Sequence, residues 1–191
     1  MPVTRGSPYK RTNRVRIVGG TWRSRVIHFA ARKDLRPTPD RVRETLFNWL
    51  GQDLTGAVCL DLFAGSGALG FEAASRGAQR VVMVECDAAT FRALERTRAA
   101  LDAGVVELRR ADALEFLRGD SGRYDVVFLD PPFQAADWPR LLALLPGRMS
   151  RGALIYCESA APPALPTGWN IWKQGAAGQV CFQLLKRTEH E

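Results

Sequence analysis

Asp61-Leu62-Phe63-Ala64-Gly65-Ser66-Gly67-Ala68-Leu69-Gly70 decides the fold. Gly65, Gly67 and Gly70 fall at GxGxxG spacing. A β-rich run, 58–62, precedes them and a helical stretch, 67–76, follows. In a strand–turn–helix setting these glycines permit a tight turn and close approach of a ligand to the backbone. Glu85 closes the next β-rich run, twenty residues after Gly65. An acid at that distance suits hydrogen bonding to a ribose diol.

Working outward, short β-rich runs alternate with helical stretches from residue 57 on. Strands are expected at 58–62, 80–85, 105–109, 124–129 and 153–158, and helices at 67–76, 88–103, 112–118 and 137–145. This alternation predicts an α/β fold with a doubly wound, mostly parallel sheet. At the end, 169–173 and 179–186 read as a hairpin joined by Gly175-Ala176-Ala177-Gly178, adding antiparallel strands to make seven. Before the alternation, Thr38 is expected as the N-cap and Pro39 as the first residue of a helix over 39–50. Residues 14–30 read as a two-stranded ribbon with Arg and apolar residues alternating. The expected division is a basic arm and ribbon, 1–35, and a main domain, 36–191.

Composition excludes several classes. The chain has 191 residues, long enough to bury a core without disulfides or structural metal. Its four cysteines form no CxxC pair and only two histidines accompany them, so no metal site is expected. No apolar run reaches the roughly 18–20 residues of a membrane span, and no secretory leader is visible. A monomer in a reducing, cytoplasm-like compartment is expected, with no membrane contact.

The charge is uneven. Residues 1–45 hold twelve Lys and Arg against three Asp and Glu, a net +9; the remainder holds fifteen against seventeen, a net −2. A basic segment on a near-neutral body is the footprint of a polyanion binder. Arg outnumbers Lys 23 to 4, and Arg both forks onto phosphates and stacks on bases. Arg14, Arg16, Arg23 and Arg25 are the candidate nucleic-acid contacts. Trp22 offers either a stacking face or a core contact. Arg41 and Arg43, on the expected helix, have phosphate, a cofactor carboxylate or water within reach.

Two ligand classes fit the glycine loop: a dinucleotide or S-adenosylmethionine. Asp61 favours the second. Like charges about 4 Å apart cost of order 4 kcal/mol at an effective dielectric near 20, which disfavours a pyrophosphate. An ammonium and a sulfonium are attracted instead. Asp112 follows the third strand, where it either meets an adenine or, with Glu115, caps a helix.

The fourth strand runs into Asp130-Pro131-Pro132-Phe133. The carboxyl ends of such strands bind ligands. Two prolines stiffen the turn and remove two N–H donors, leaving mainly acceptors. An acceptor pair there holds the hydrogens of a planar exocyclic amine so that its lone pair attacks a methyl group in line. Guanine N2, adenine N6 and cytosine N4 all satisfy that chemistry. Phe133 adds a stacking face.

These residues resemble the class I S-adenosylmethionine-dependent methyltransferases of the amine-directed branch. Two further stretches, 16–22 (RIVGGTW) and 35–50 (LRPTPDRVRETLFNWL), with Gly178-Gln179-Val180, resemble the RsmD family. That resemblance spans about residues 14–186. It implies a Rossmann-like fold, S-adenosyl-L-methionine as methyl donor, and transfer to N2 of one guanine in 16S rRNA within the assembling 30S subunit. It implies a methionine-end site at Asp61, Phe63, Gly65 and Gly67, ribose contact at Glu85, and adenine contact near Asp112 and Ala113, with Ala64 and Cys86 in the same cofactor site. The target amine would meet Asp130, Pro131 and Pro132, with Phe133 against the base. The arm before Arg14 and the stretch 28–34 depart from the family's wording.

Overall fold

The computed structural model describes residues 13–29, 37–132 and 137–188. Phe133, most of the N-terminal arm and the Leu35-Arg36 start of the second resembling stretch lie outside the described residues.

A small ribbon comes first. β1 (Arg14–Arg16) and β2 (Val26–His28) pair antiparallel with Val15 opposite Ile27. Val15 and Ile27 turn inward while Arg14, Arg16, Val26 and His28 turn outward, so the alternation read from sequence is the pleat. α1 (Asp40–Leu50) follows and closes on Gly51 at φ 96°. Its N-cap is Pro39, not Thr38, and no side chain caps it. The Thr38 hydroxyl is used elsewhere.

The main sheet has β3 (Val58–Asp61), β4 (Arg80–Glu85), β5 (Val106–Arg110), β6 (Tyr124–Leu129), β7 (Met149–Ser159), β8 (Trp169–Ala177) and β9 (Val180–Arg187). Spatial order is β5-β4-β3-β6-β7-β9-β8. The first five strands are parallel, and β9 is antiparallel to both β7 and β8. This is the seven-stranded, mostly parallel sheet expected from the alternation. β3 lies between β4 and β6, so the chain switches direction beside it, which opens a crevice at the carboxyl edge.

Helices α2 (Ala68–Ser75), α3 (Ala88–Ala100), α4 (Ala113–Gly119) and α5 (Trp138–Leu144) make the crossovers. The central strands β3, β4 and β6 are buried on both faces, while the edge strand β5 is exposed toward Arg109 and Arg110. Cys59, Val81, Met83 and Phe128 face one core, shared with the ribbon, α1 and α2. Leu60, Val82, Val84 and Leu129 face the other, shared with α4 and α5. Among the described residues no helix is long and apolar enough to cross a membrane.

The terminal hairpin differs from expectation. β8 continues to Ala177, and Gly178-Gln179 alone form the turn, with Ala177 opposite Val180. Gly178 has φ 61°, and Gln179 is not among the positive-φ residues, the pattern of a type II′ turn. Gly175 is not a loop residue: it lies within β8 opposite Phe182, and a Cβ there would collide with that ring. The glycine marks a close approach within the sheet rather than a break.

Candidate active site at the carboxyl edge

The glycine loop is held from both sides. The Ala64 amide donates to the Val84 carbonyl at 2.9 Å and the Gly65 amide to Glu85 Oε2 at 3.0 Å. The loop is thereby tied to the end of β4. Gly67 sits at φ 82° as the N-cap of α2. A Cβ on Gly67 would lie 2.6 Å from the Phe71 ring. Gly67→Ala is expected to cost about 1–3 kcal/mol of stability from strain and overpacking, read as a lowered denaturation midpoint, with ligand affinity falling alongside.

Asp61 ends β3 beneath this loop and is 1% exposed. Its Oδ2 accepts the Gly70 amide at 3.0 Å, while Oδ1 is buried without a hydrogen-bond partner. Burial pushes its carboxyl up to about 7; the Gly70 and then the Phe63 backbone amides oppose this, and the Glu85 charge adds to it. A buried acceptor left open is costly unless a ligand completes it. Asp61, Phe63, Ala64, Gly65, Ser66, Leu69 and Asp130 line one cleft together with Pro37 and Thr38.

The structure therefore brings Asp61, Phe63, Ala64, Gly65 and Asp130 to one place. Other expected residues stand differently. Glu85 is 8% exposed, and its Oε1 also accepts the Asp87 amide at 2.8 Å. The same oxygen receives the Cys86 thiol at 3.8 Å, and Oε2 keeps a second acceptor site. Cys86 is exposed beside it. Asp112 is the N-cap of α4, its Oδ1 accepting from the Leu114 and Glu115 amides. That is the capping alternative weighed for it, and its second oxygen makes neither bond. Ala113 is buried behind it.

Asp130 follows β6, with Pro131 buried and Pro132 exposed. Burial raises its carboxyl well above the usual range; Glu158 and then Asp61 push the same way, and Thr38 opposes them. Glu158 is 4% exposed and was not singled out from sequence. It ends a predicted strand, as Glu85 does, and that shared position was the available signal. Thr38 was missed as a site residue because it reads as a cap: its hydroxyl donates instead to Glu158 Oε1 at 2.6 Å.

The basic ribbon borders the cleft. Arg14, Val15, Arg16, Val26 and Pro37–Asp40 line a groove of about 520 Å³. Pro37 and Thr38 belong to both this groove and the cleft, so the two adjoin. Arg14, Arg23 and Arg41 are exposed. Arg16 is exposed and pairs with Asp40 at 3.1 Å; Arg25 donates to the Ala100 carbonyl at 3.0 Å. Trp22 is half-buried against the core, the second of its two readings.

Arg43 corrects the sequence reading. It is 0% exposed. Its guanidinium meets Glu72 at 3.0 Å, Asp40 at 2.6 Å, and the carbonyls of Thr38 and Arg16 at 3.2 and 2.6 Å. It faces neither phosphate nor cofactor. Its i, i+3 and i, i+4 neighbours on α1, Leu46 and Phe47, are core residues, so the helix turns Arg43 inward with them.

The family described as conserved hypothetical protein 95 matches residues 15–186. A curated relative named ribosomal RNA small subunit methyltransferase D, from Escherichia coli K12, is 41% identical over 181 residues, 92% of this chain and 91% of its own length.

The chain belongs to this family.

A second family member of the same name, from Haemophilus influenzae, is 39% identical over 178 residues, 89% of this chain and 92% of its own length. The solved structure of a putative methyltransferase, YhhF of Escherichia coli, superposes with TM-score 0.83 at 41% identity, covering 93% of this chain and 99% of that one. The family's fold is thus the Rossmann-like one found here, and the RsmD resemblance is one of family.

Proposed function

We propose that this protein transfers a methyl group from S-adenosyl-L-methionine to the exocyclic N2 of one guanine in 16S rRNA, acting as a monomer on the assembling small subunit. The observation that carries the reading is the meeting of Asp61 and Asp130 in one cleft at the switch point, with Asp61 Oδ1 unsatisfied. The family members' printed names supply the RNA class.

The residues present fit the methyl donor. Asp61 offers a buried acceptor to an ammonium, and Phe63, Ala64, Gly65 and Ser66 shape the wall beside it, with Gly67 assigned to the same end of the donor from the loop's spacing. Glu85 and Asp112 are assigned the ribose and the adenine. The bound donor supplies an electrophilic methyl group. Asp130 and the adjoining backbone carbonyls hold the amine's hydrogens and turn its lone pair toward the methyl. Catalysis is then positioning and electrostatics. Arg14 and Arg16 position RNA phosphates along the adjoining groove, which leads the target base past Thr38 to Asp130, and the exposed Arg23, Arg25 and Arg41 are assigned further phosphate contacts.

The test is incubation with labelled donor and unmodified 30S subunits, followed by nucleoside identification. N2-methylguanosine at one site is expected. A different methylated base overturns the guanine assignment, and label on DNA or protein amines alone overturns the RNA reading.

Donor affinity is expected to depend on pH. Asp61 is largely neutral below about 7 and attracts an ammonium only when ionised. The ionised fraction falls about fivefold from pH 7 to pH 6 for a group titrating near 7, and equilibrium binding should weaken by a similar factor. Asp61→Asn should bind weakly at both pH values and flatten the dependence.

A further inference from the structure

Two carboxylates stand side by side where the amine is expected. Leu129 of β6 pairs with Cys157 of β7 in parallel register, so the next residues, Asp130 and Glu158, are neighbours at the carboxyl edge. Glu158 is buried, and so are the two hydroxyls that reach it. Thr38 Oγ1 donates to Glu158 Oε1 at 2.6 Å, and Tyr156 Oη donates to the same oxygen at 2.9 Å. Among the described residues no Lys or Arg forms an ion pair with Asp130 or Glu158. The charged and titratable groups that face the pair are Asp61 from β3 and Tyr156 and Cys157 from β7, with the Thr38 hydroxyl from the segment before α1.

Like charges this close do not both ionise readily. Hydrogen bonds to the charged form decide which member keeps the charge. Two hydroxyl donors favour it on Glu158. Asp130 has the weaker support and a second carboxylate, Asp61, near it.

We propose that Glu158 is a positioning residue for the reaction: held by Thr38 and Tyr156, it keeps the negative charge of a carboxylate pair and leaves Asp130 as the member that carries and releases the proton. This rests on the methyl-transfer reading above. Asp130 gives its proton to water before transfer. The amine lone pair forms the nitrogen–carbon bond while the carbon–sulfur bond breaks and its electron pair stays on sulfur. Asp130 then takes the proton from the methylated nitrogen and returns it to solvent. Glu158 touches neither reacting atom; it sets the pH at which Asp130 is ready.

The test uses the full chain labelled with ¹³C at the aspartate carboxyls, the Asp130 signal being the one lost in Asp130→Asn. Glu158→Gln keeps an acceptor for Thr38 and Tyr156 but removes the neighbouring charge. Its Asp130 signal should titrate lower by about one pH unit or more, and the acid limb of kcat should move with it. Tyr156→Phe removes one donor, shifts the shared proton toward Glu158, and should move Asp130 the same way by less. A merely structural role lowers activity without moving either titration. An Asp130 titration that is unchanged or raised in both variants overturns the proposal. The carboxyl titration needs no substrate, so inactivity on every RNA would defeat the function reading and leave the pair still decided by the spectra.

Discussion

Asp130→Asn is expected to lower kcat for methyl transfer by about 10²–10³-fold, the range seen when one preorganised transition-state group is removed. Asparagine keeps one acceptor oxygen but cannot take the amine's proton. Donor binding should change little, because the methionine end is assigned to Asp61 and the loop rather than to Asp130. Single-turnover rates with 30S subunits and equilibrium binding of the donor separate the two. Wild-type activity in this variant would sink the catalytic assignment. Stability should move the other way. A carboxyl raised in the folded state costs stability as pH climbs above its unfolded value near 4, and burial, Glu158 and Asp61 all raise Asp130. Asp130→Asn should therefore melt higher than wild type at pH 8, with the gain vanishing near pH 4.

The second large effect belongs to Arg43. Arg43→Met is expected to destabilise the fold by about 3–5 kcal/mol, the usual cost of breaking a buried ion pair from one side. Glu72 is 0% exposed and collects four donors: the Val18 and Gly19 amides, Arg43 and Arg76. Without Arg43 it keeps Arg76 alone as counter-charge. Arg43 also ties the Arg16 carbonyl of the ribbon to α1. Urea denaturation measures the loss directly. Arg43→Met, Glu72→Gln should be less destabilised than Arg43→Met, since the stranded charge is gone. If Arg43→Met leaves stability intact but abolishes RNA binding, the structural assignment is wrong and the phosphate reading returns. Arg41, exposed on the same helix, should behave oppositely: Arg41→Met leaves stability within about 0.5 kcal/mol, as surface changes usually do.

The sequence by itself determined the alternation of strands and helices, because the strands are apolar enough to be buried on both faces and the crossovers carry helical spacing. β4 and β6 fall at the residues read from sequence. The glycine loop, Asp61 and the proline-stiffened turn were legible for the same local reason: spacing within one strand–turn–helix unit fixes where their side chains emerge. Interactions across the chain were not legible. Thr38 looks like a helix cap until β7 places Glu158 against it, 120 residues away in sequence. Arg43 looks like a surface cation until α2 presents Glu72 beneath it. Gly175 looks like a loop until the Phe182 ring fills its space. Glu158 gains its meaning only beside Asp130, through the register of two strands separated by a whole crossover. Local spacing settles backbone geometry; which polar groups share a buried space depends on how the elements pack, and only the tertiary structure decided that.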